Sequence, residues 1–148
     1  LRKILSIIEQ TAAQIPLVFP VHPRTRASLE ANELMKQLEA TPGLILTPPL
    51  GYLDFLALLT KTKLVITDSG GIQEETTYLG APCLTFRDST ERPSTVEIGT
   101  NVLLAELDPK NTISEVNQIL AGNGKQGKVP PLWDGKAAER IAEYFAGK

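Results

Sequence analysis

The chain has 148 residues, 42% of them hydrophobic and 22% charged, with a formal charge of −2. That is the size and balance of one globular domain with a core of its own, not of a disordered segment. A near-neutral charge provides no basic field for nucleic acid, and no apolar run approaches the ~20 residues that cross a bilayer.

No targeting segment is expected at the start. Cys83 cannot make an internal disulfide, which fits a reducing, cytoplasmic compartment, and in the apolar run 82–86 it reads as a core residue. One histidine and one cysteine give no metal-ligand cluster.

Leu1, Ile4, Leu5 and Ile8 recur on one helical face, predicting an amphipathic helix that ends before Pro16. The chain thus opens in helical rhythm, with no initiator Met and no entry cap, as expected for a piece of a longer protein. LVFPV at 17–21 is a short continuous apolar run, the pattern of a strand buried on both sides. Leu34, Met35 and Leu38 mark a second helix, closed by Pro42-Gly43, and LILT at 44–47 a second strand. Leu53, Leu56 and Leu59 mark a third helix, followed by a strand, LVIT, at 64–67.

After Gly70-Gly71 a helix is predicted to about Tyr78, with Gly80 as its stop. CLTF at 83–86 and NVLL at 101–104 are the fourth and fifth strands. Thr112 and Glu115 read as a capping box ahead of Ile113, Val116, Ile119 and Leu120. AGNGKQGK at 121–128 reads as a flexible loop, and Asp134 as the cap of a last helix carrying Ala138, Ile141, Ala142 and Phe145. Short buried strands alternating with helices predict an α/β fold, a parallel sheet with helices on both faces.

In such sheets ligands bind outside the carboxyl ends of the strands, so the residues after each strand matter most. They are His22-Pro23-Arg24, the loop 48–52, Asp68-Ser69-Gly70-Gly71, and the polar loop 87–93. Two glycines running into a helix let an anion approach unpaired N–H groups and the positive end of the dipole, which suits a phosphate or diphosphate. A tight strand–helix turn capped by Ser69 gives the same pattern. Glu74 and Glu75 fit simple charge preference in the first helical turns; one of them also fits a ribose, as for a mononucleotide lying along the helix. There is neither a GxGxxG fingerprint nor a Walker A motif, so NAD and ATP are not expected.

His22, with an ordinary pKa of ~6.5, is either a solvated histidine or a proton donor to a leaving group. Arg87 and Arg92 are either surface ion-pair partners or phosphate forks. Phe55 is either core or a stacking surface for a base.

Four stretches carry a family resemblance: FPVHPRTR, TDSGGIQEETTYLGAPCLTFRDSTERP, EIGTNVLL and the terminal WDGKAAERI. With the Tyr52–Phe55–Leu56–Leu58–Leu59 pattern, they resemble the C-terminal half of the non-hydrolysing bacterial UDP-N-acetylglucosamine 2-epimerases. The resemblance implies a Rossmann-like, three-layer α/β/α domain like the C-terminal domain of a GT-B fold, with residues 1–148 as a single UDP-binding domain. It implies that a further strand and a His-Arg-rich segment precede Leu1 in the family, and that the N-terminal domain supplies the acid and base carboxylates.

The implied reaction interconverts UDP-GlcNAc and UDP-ManNAc by elimination and re-addition of UDP, with neither NAD nor metal as cofactor. The implied setting is a homodimeric parent that binds UDP and UDP-N-acetylhexosamines in cell-envelope polysaccharide biosynthesis.

Carried over by motif, Ser69, Gly70 and Gly71 would hold the diphosphate and Glu75 the ribose hydroxyls. Phe55 would pack against uracil, Leu50 would contact the base through its backbone, and Arg92 would contact phosphate or sugar. His22 matches the catalytic histidine. Ser94 departs from the family, which usually has glutamate there, and puts that loop's contacts in question. Two other readings fit the residues: a GT-B glycosyltransferase donor domain, and an isolated module that binds UDP without catalysis. A paralogue that keeps the fold without the ligand sits poorly with an intact Ser69, Gly70, Gly71 and Glu75.

Overall fold

A computed structural model describes residues 1–147. In chain order the elements are α1 (Arg2–Ala12), β1 (Leu17–Pro20), α2 (Pro23–Ala31), α3 (Met35–Glu39), β2 (Leu44–Thr47) and α4 (Tyr52–Leu59). There follow β3 (Val65–Thr67), α5 (Gly70–Leu79), β4 (Cys83–Thr85), α6 (Pro93–Glu97), β5 (Asn101–Leu103), α7 (Pro109–Leu120) and α8 (Ala137–Ala146). No helix among the described residues is long and apolar enough to cross a membrane.

The contacts group into two compact units. The first joins Leu1–Lys61 with Glu106–Asn123, so α7 returns to pack on α1. β1 and β2 pair in parallel, Leu17 opposite Leu44 and Pro20 opposite Thr47. Leu5, Val21, Leu29, Met35 and Leu38 form its buried cluster, with Ile8, Phe19, Leu34, Leu44 and Leu46 packed against it. Gly43, at φ +80°, turns the chain into β2 so close to the Ala12 carbonyl that a side chain would not fit.

The second unit takes Thr62–Ala105 and the residues from Gly124 onward. Its parallel sheet has the order β3-β4-β5, and Cys83, Leu84 and Thr85 of the central strand are all buried. Burial pushes the Cys83 thiol above its ordinary pKa, as a core cysteine requires. α5 stops at Gly80, whose φ of 71° is left-handed.

Several local expectations are corrected. α2 has weak apolar periodicity, with only Leu29 buried, and forms instead from its start: His22 as N-cap and Pro23 in the first turn. α6, a five-residue helix directly after its N-cap Arg92, also begins on a proline. α7 begins at Pro109, where the Asp108 side chain accepts the Lys110 N–H at 3.1 Å. Thr112 therefore sits inside the helix, donating to the Asp108 carbonyl at 2.8 Å, and makes no capping box with Glu115.

Asp134 accepts the Lys136 N–H at 3.0 Å, but the N-cap itself is Lys136. Leu53, expected on the inner face of α4, is exposed. The loop expected to be flexible is pinned: Lys125 Nζ donates to the carbonyls of Val96 and Asn101, and Gly127 lies against Gly99 too closely for a Cβ.

Candidate functional site

His22, Leu50 and Phe55 belong to the first unit; Ser69, Gly70, Gly71, Glu75 and Arg92 belong to the second. Within each unit the parallel register explains the grouping. Pro20 and Thr47 end neighbouring strands, so His22 and Leu50 leave the same sheet edge, the carboxyl one. Thr67 and Thr85 likewise end neighbouring strands, so Asp68-Ser69 and Arg87 leave one edge of the second sheet.

In the first unit the His22 ring is exposed and its Nδ1 accepts the Arg24 N–H at 3.3 Å. A neutral ring held that way carries its proton on Nε2, the nitrogen left to face a ligand. Leu50, in the loop after β2, and Phe55, one turn into α4, are both half-buried.

In the second unit Ser69 occupies the N-cap position of α5, yet its side chain makes no capping hydrogen bond; instead its N–H donates to Thr67 Oγ1 at 3.1 Å. The bland assignment of Ser69 as a side-chain cap is therefore excluded. Neither Gly70 nor Gly71 has positive φ, so backbone conformation does not demand glycine at either. A Cβ on Gly71 would meet open space, whereas one on Gly70 would lie 2.6 Å from Glu91 Oε1. A carboxylate thus already stands at the first residue of α5, where the helix favours an anion.

Glu91 belongs to the loop after β4, and that loop is tied to the β3–α5 turn. Arg87 donates to the Asp68 carbonyl at 2.7 Å through Nε and to Glu91 Oε2 at 2.8 Å through Nη1. The Glu91 carboxyl is held below the usual carboxylate range, first by its own backbone N–H and then by the charges of Arg87 and Arg92. Arg92 Nε lies 3.0 Å from Glu74 Oε2, an ion-pair distance without hydrogen-bond alignment.

Glu74 and Glu75 are the fifth and sixth residues of α5, beyond its first turn, where no acidic residue lies. Charge preference at the helix start therefore does not account for them. Glu74 is engaged by Arg92; half-buried Glu75 has no ion-pair partner among the described residues. The sequence reading left Glu91 and Gln73 without roles. The signal available for Gln73 was a polar residue on a helix whose inward face is otherwise Ile72, Thr76 and Thr77.

The UDP-N-acetylglucosamine 2-epimerase family profile matches residues 1–146. The UDP-N-acetylglucosamine 2-epimerase of Methanocaldococcus jannaschii is 41% identical over 87% of the chain, which covers 34% of that protein. A UDP-2,3-diacetamido-2,3-dideoxy-D-glucuronate 2-epimerase of Pseudomonas aeruginosa is 38% identical over 88% of the chain and 35% of its own length. The chain thus spans about a third of these curated relatives.

A crystal structure of the M. jannaschii UDP-GlcNAc 2-epimerase in complex with UDP-GlcNAc and UDP matches with a TM-score of 0.81. It is 37% identical, over 99% of this chain and 39% of that one. The fold is α/β, that of the C-terminal portion of these GT-B-like enzymes. On a profile match running almost end to end, the chain belongs to the UDP-N-acetylglucosamine 2-epimerase family.

Proposed function

We propose that the chain is the UDP-binding part of a UDP-N-acetylglucosamine 2-epimerase, a longer enzyme that interconverts UDP-GlcNAc and UDP-ManNAc. The observation that carries this reading is the relative bound to UDP-GlcNAc and UDP, which matches 99% of the chain. Residues 1–148 act as one Rossmann-like UDP domain, in a cytoplasmic, homodimeric parent that serves cell-envelope polysaccharide synthesis.

The roles follow from charge. Elimination of UDP from the sugar builds negative charge on the departing diphosphate. Gly70 and Gly71 hold it on N–H groups at the positive end of α5, Ser69 adds the hydroxyl that makes no capping bond, and Arg92 adds a guanidinium. Retained UDP re-adds to the intermediate, so the grip must survive bond cleavage. Glu75, with no competing ion pair among the described residues, accepts from the ribose hydroxyls. Phe55 packs on uracil, Leu50 meets the base through its backbone, and His22 is the catalytic histidine. The reaction uses neither NAD nor metal.

Calorimetric titration of UDP and of inorganic diphosphate into the chain and into Glu75→Ala tests this. The expected result is micromolar to sub-millimolar UDP binding that the substitution weakens about tenfold, with diphosphate binding unchanged. Equal loss for both ligands would remove Glu75 from the ribose.

A second reading is favoured by the chain's third-length span of its relatives: on its own it binds UDP and turns nothing over. Deuterium entering C2 of UDP-GlcNAc in the presence of the isolated chain would overturn that.

A further inference from the structure

Gln73 is 0% exposed, and its side chain reaches out of α5 instead of along it. Its Oε1 accepts from Thr90 Oγ1 at 2.7 Å and from Asn101 Nδ2 at 3.0 Å. A hydroxyl has one proton, so Thr90, having donated it to Gln73, faces the Arg92 N–H with a lone pair and accepts that bond at 3.0 Å. Asn101 Nδ2 also lies 3.2 Å from Thr95 Oγ1, which donates to the Arg92 carbonyl at 2.8 Å. Asn101 in turn is oriented by Thr85, whose hydroxyl donates to Oδ1 at 2.6 Å.

The Arg92 N–H therefore hangs from a hydroxyl anchored on Gln73, outside any backbone ladder. Its carbonyl accepts from the Thr95 hydroxyl beside Asn101 and also from the Thr95 N–H at 3.0 Å, where α6 begins. Arg92 lies at φ −120°, ψ 58°, neither helical nor extended, at the head of a five-residue helix whose next residue, Pro93, has no N–H.

Packing alone does not explain an amide here. Gln73 Nε2 is buried without a hydrogen-bond partner among the described residues. An unmet buried donor is destabilising, a penalty that a methionine filling the same space would not incur. The amide oxygen, by contrast, is doubly used.

We propose that Gln73 is a positioning residue: its side-chain oxygen, through Thr90 and Asn101, sets the backbone of Arg92 and so aims that guanidinium at the phosphate or sugar. This rests on the reading of Arg92 as a ligand contact given above. The contact to Glu74 is made at Nε, which leaves the two terminal nitrogens of the fork to the ligand.

The test uses Gln73→Met, which keeps the length and removes the amide oxygen, and Thr90→Val, which cuts the link to Arg92 on a part-buried loop. Backbone amide exchange, read residue by residue by NMR, is expected to rise at least tenfold at Arg92 in both variants, with Val116 of α7 unchanged. Unchanged protection at Arg92, or a uniform rise across the chain, would overturn the proposal, since a merely structural glutamine acts through global stability.

The second readout is UDP affinity in a double-mutant cycle. Gln73→Met is expected to weaken UDP about tenfold when Arg92 is present and not at all in the Arg92→Ala background. Additive losses would show that Gln73 acts independently of Arg92. Absence of UDP binding by the unsubstituted chain would sink the ligand reading alone, and exchange at Arg92 would still decide whether Gln73 positions it.

Discussion

Glu91 shows how much at the candidate site turns on one carboxylate. It stands at Gly70, at the positive end of α5, paired to Arg87 at 2.8 Å, so the protein supplies its own anion where a diphosphate is proposed to bind. Any incoming anion must displace or repel that charge. Glu91→Gln is therefore expected to tighten inorganic diphosphate binding several-fold, with the gain fading at high salt, where exposed charges are screened. Weaker diphosphate binding in calorimetry would show that Glu91 instead holds Arg87 in a pose the ligand needs. The glycines next to it were legible in the sequence as a close-approach turn. Glu91 was not, because its position depends on the loop after β4, 21 residues beyond Gly70 at Glu91, folding back onto α5.

At the scale of elements, what was legible divides by the kind of signal each element carries. The five strands were visible because largely apolar runs of four or five residues have few alternatives between turn residues. α1 and α7 were visible through periodicity, and α5 through the glycines that bound it. α2 and α6 were not, since each is set by a proline in its first turn and buries little.

α8 was marked by its apolar spacing and by Asp134, and here too a side-chain clasp governs entry. Asp134 accepts from Lys136 N–H at 3.0 Å and from Arg140 Nη1 at 2.9 Å, and Arg140 also donates to the Leu132 carbonyl at 2.9 Å. The Asp134 carboxyl is thereby held below its usual range, by the Lys136 N–H first and Arg140 next. A depressed folded-state pKa contributes stability above the unfolded value, about 3.9, and loses it as pH falls through the folded value. α8 is expected to fray in that acid window, seen as lost amide protection at 140–144. Asp134→Asn is expected to fray at neutral pH and to show less further change on acidification. An unaltered acid profile would exclude the clasp as the cause.

Over the whole molecule, burial is distributed unevenly, and stability should follow it. Leu84 on the central strand of the second sheet is 0% exposed, as is Val116 of α7 in the first unit. α8 contributes no buried residue: Ile141 is 59% exposed and Phe145 69%. The sequence marks all four as apolar and three of them as periodic on helices, so pattern alone ranks them together. Pattern reports which face of an element is apolar, and only tertiary structure decides whether anything covers it.

Removing buried apolar atoms forfeits transfer energy and leaves a cavity, so Leu84→Ala is expected to cost about 2–5 kcal/mol. That is a large share of the roughly 5–15 kcal/mol that folded domains hold. Phe145→Gln removes a larger side chain but one already in water, and is expected to change stability by less than about 0.5 kcal/mol. Urea unfolding of the two variants decides the matter through their midpoints. A loss at Phe145 comparable to that at Leu84 would mean that α8 packs in solution against a surface it does not touch in the fold described, and that its apolar face belongs to the core.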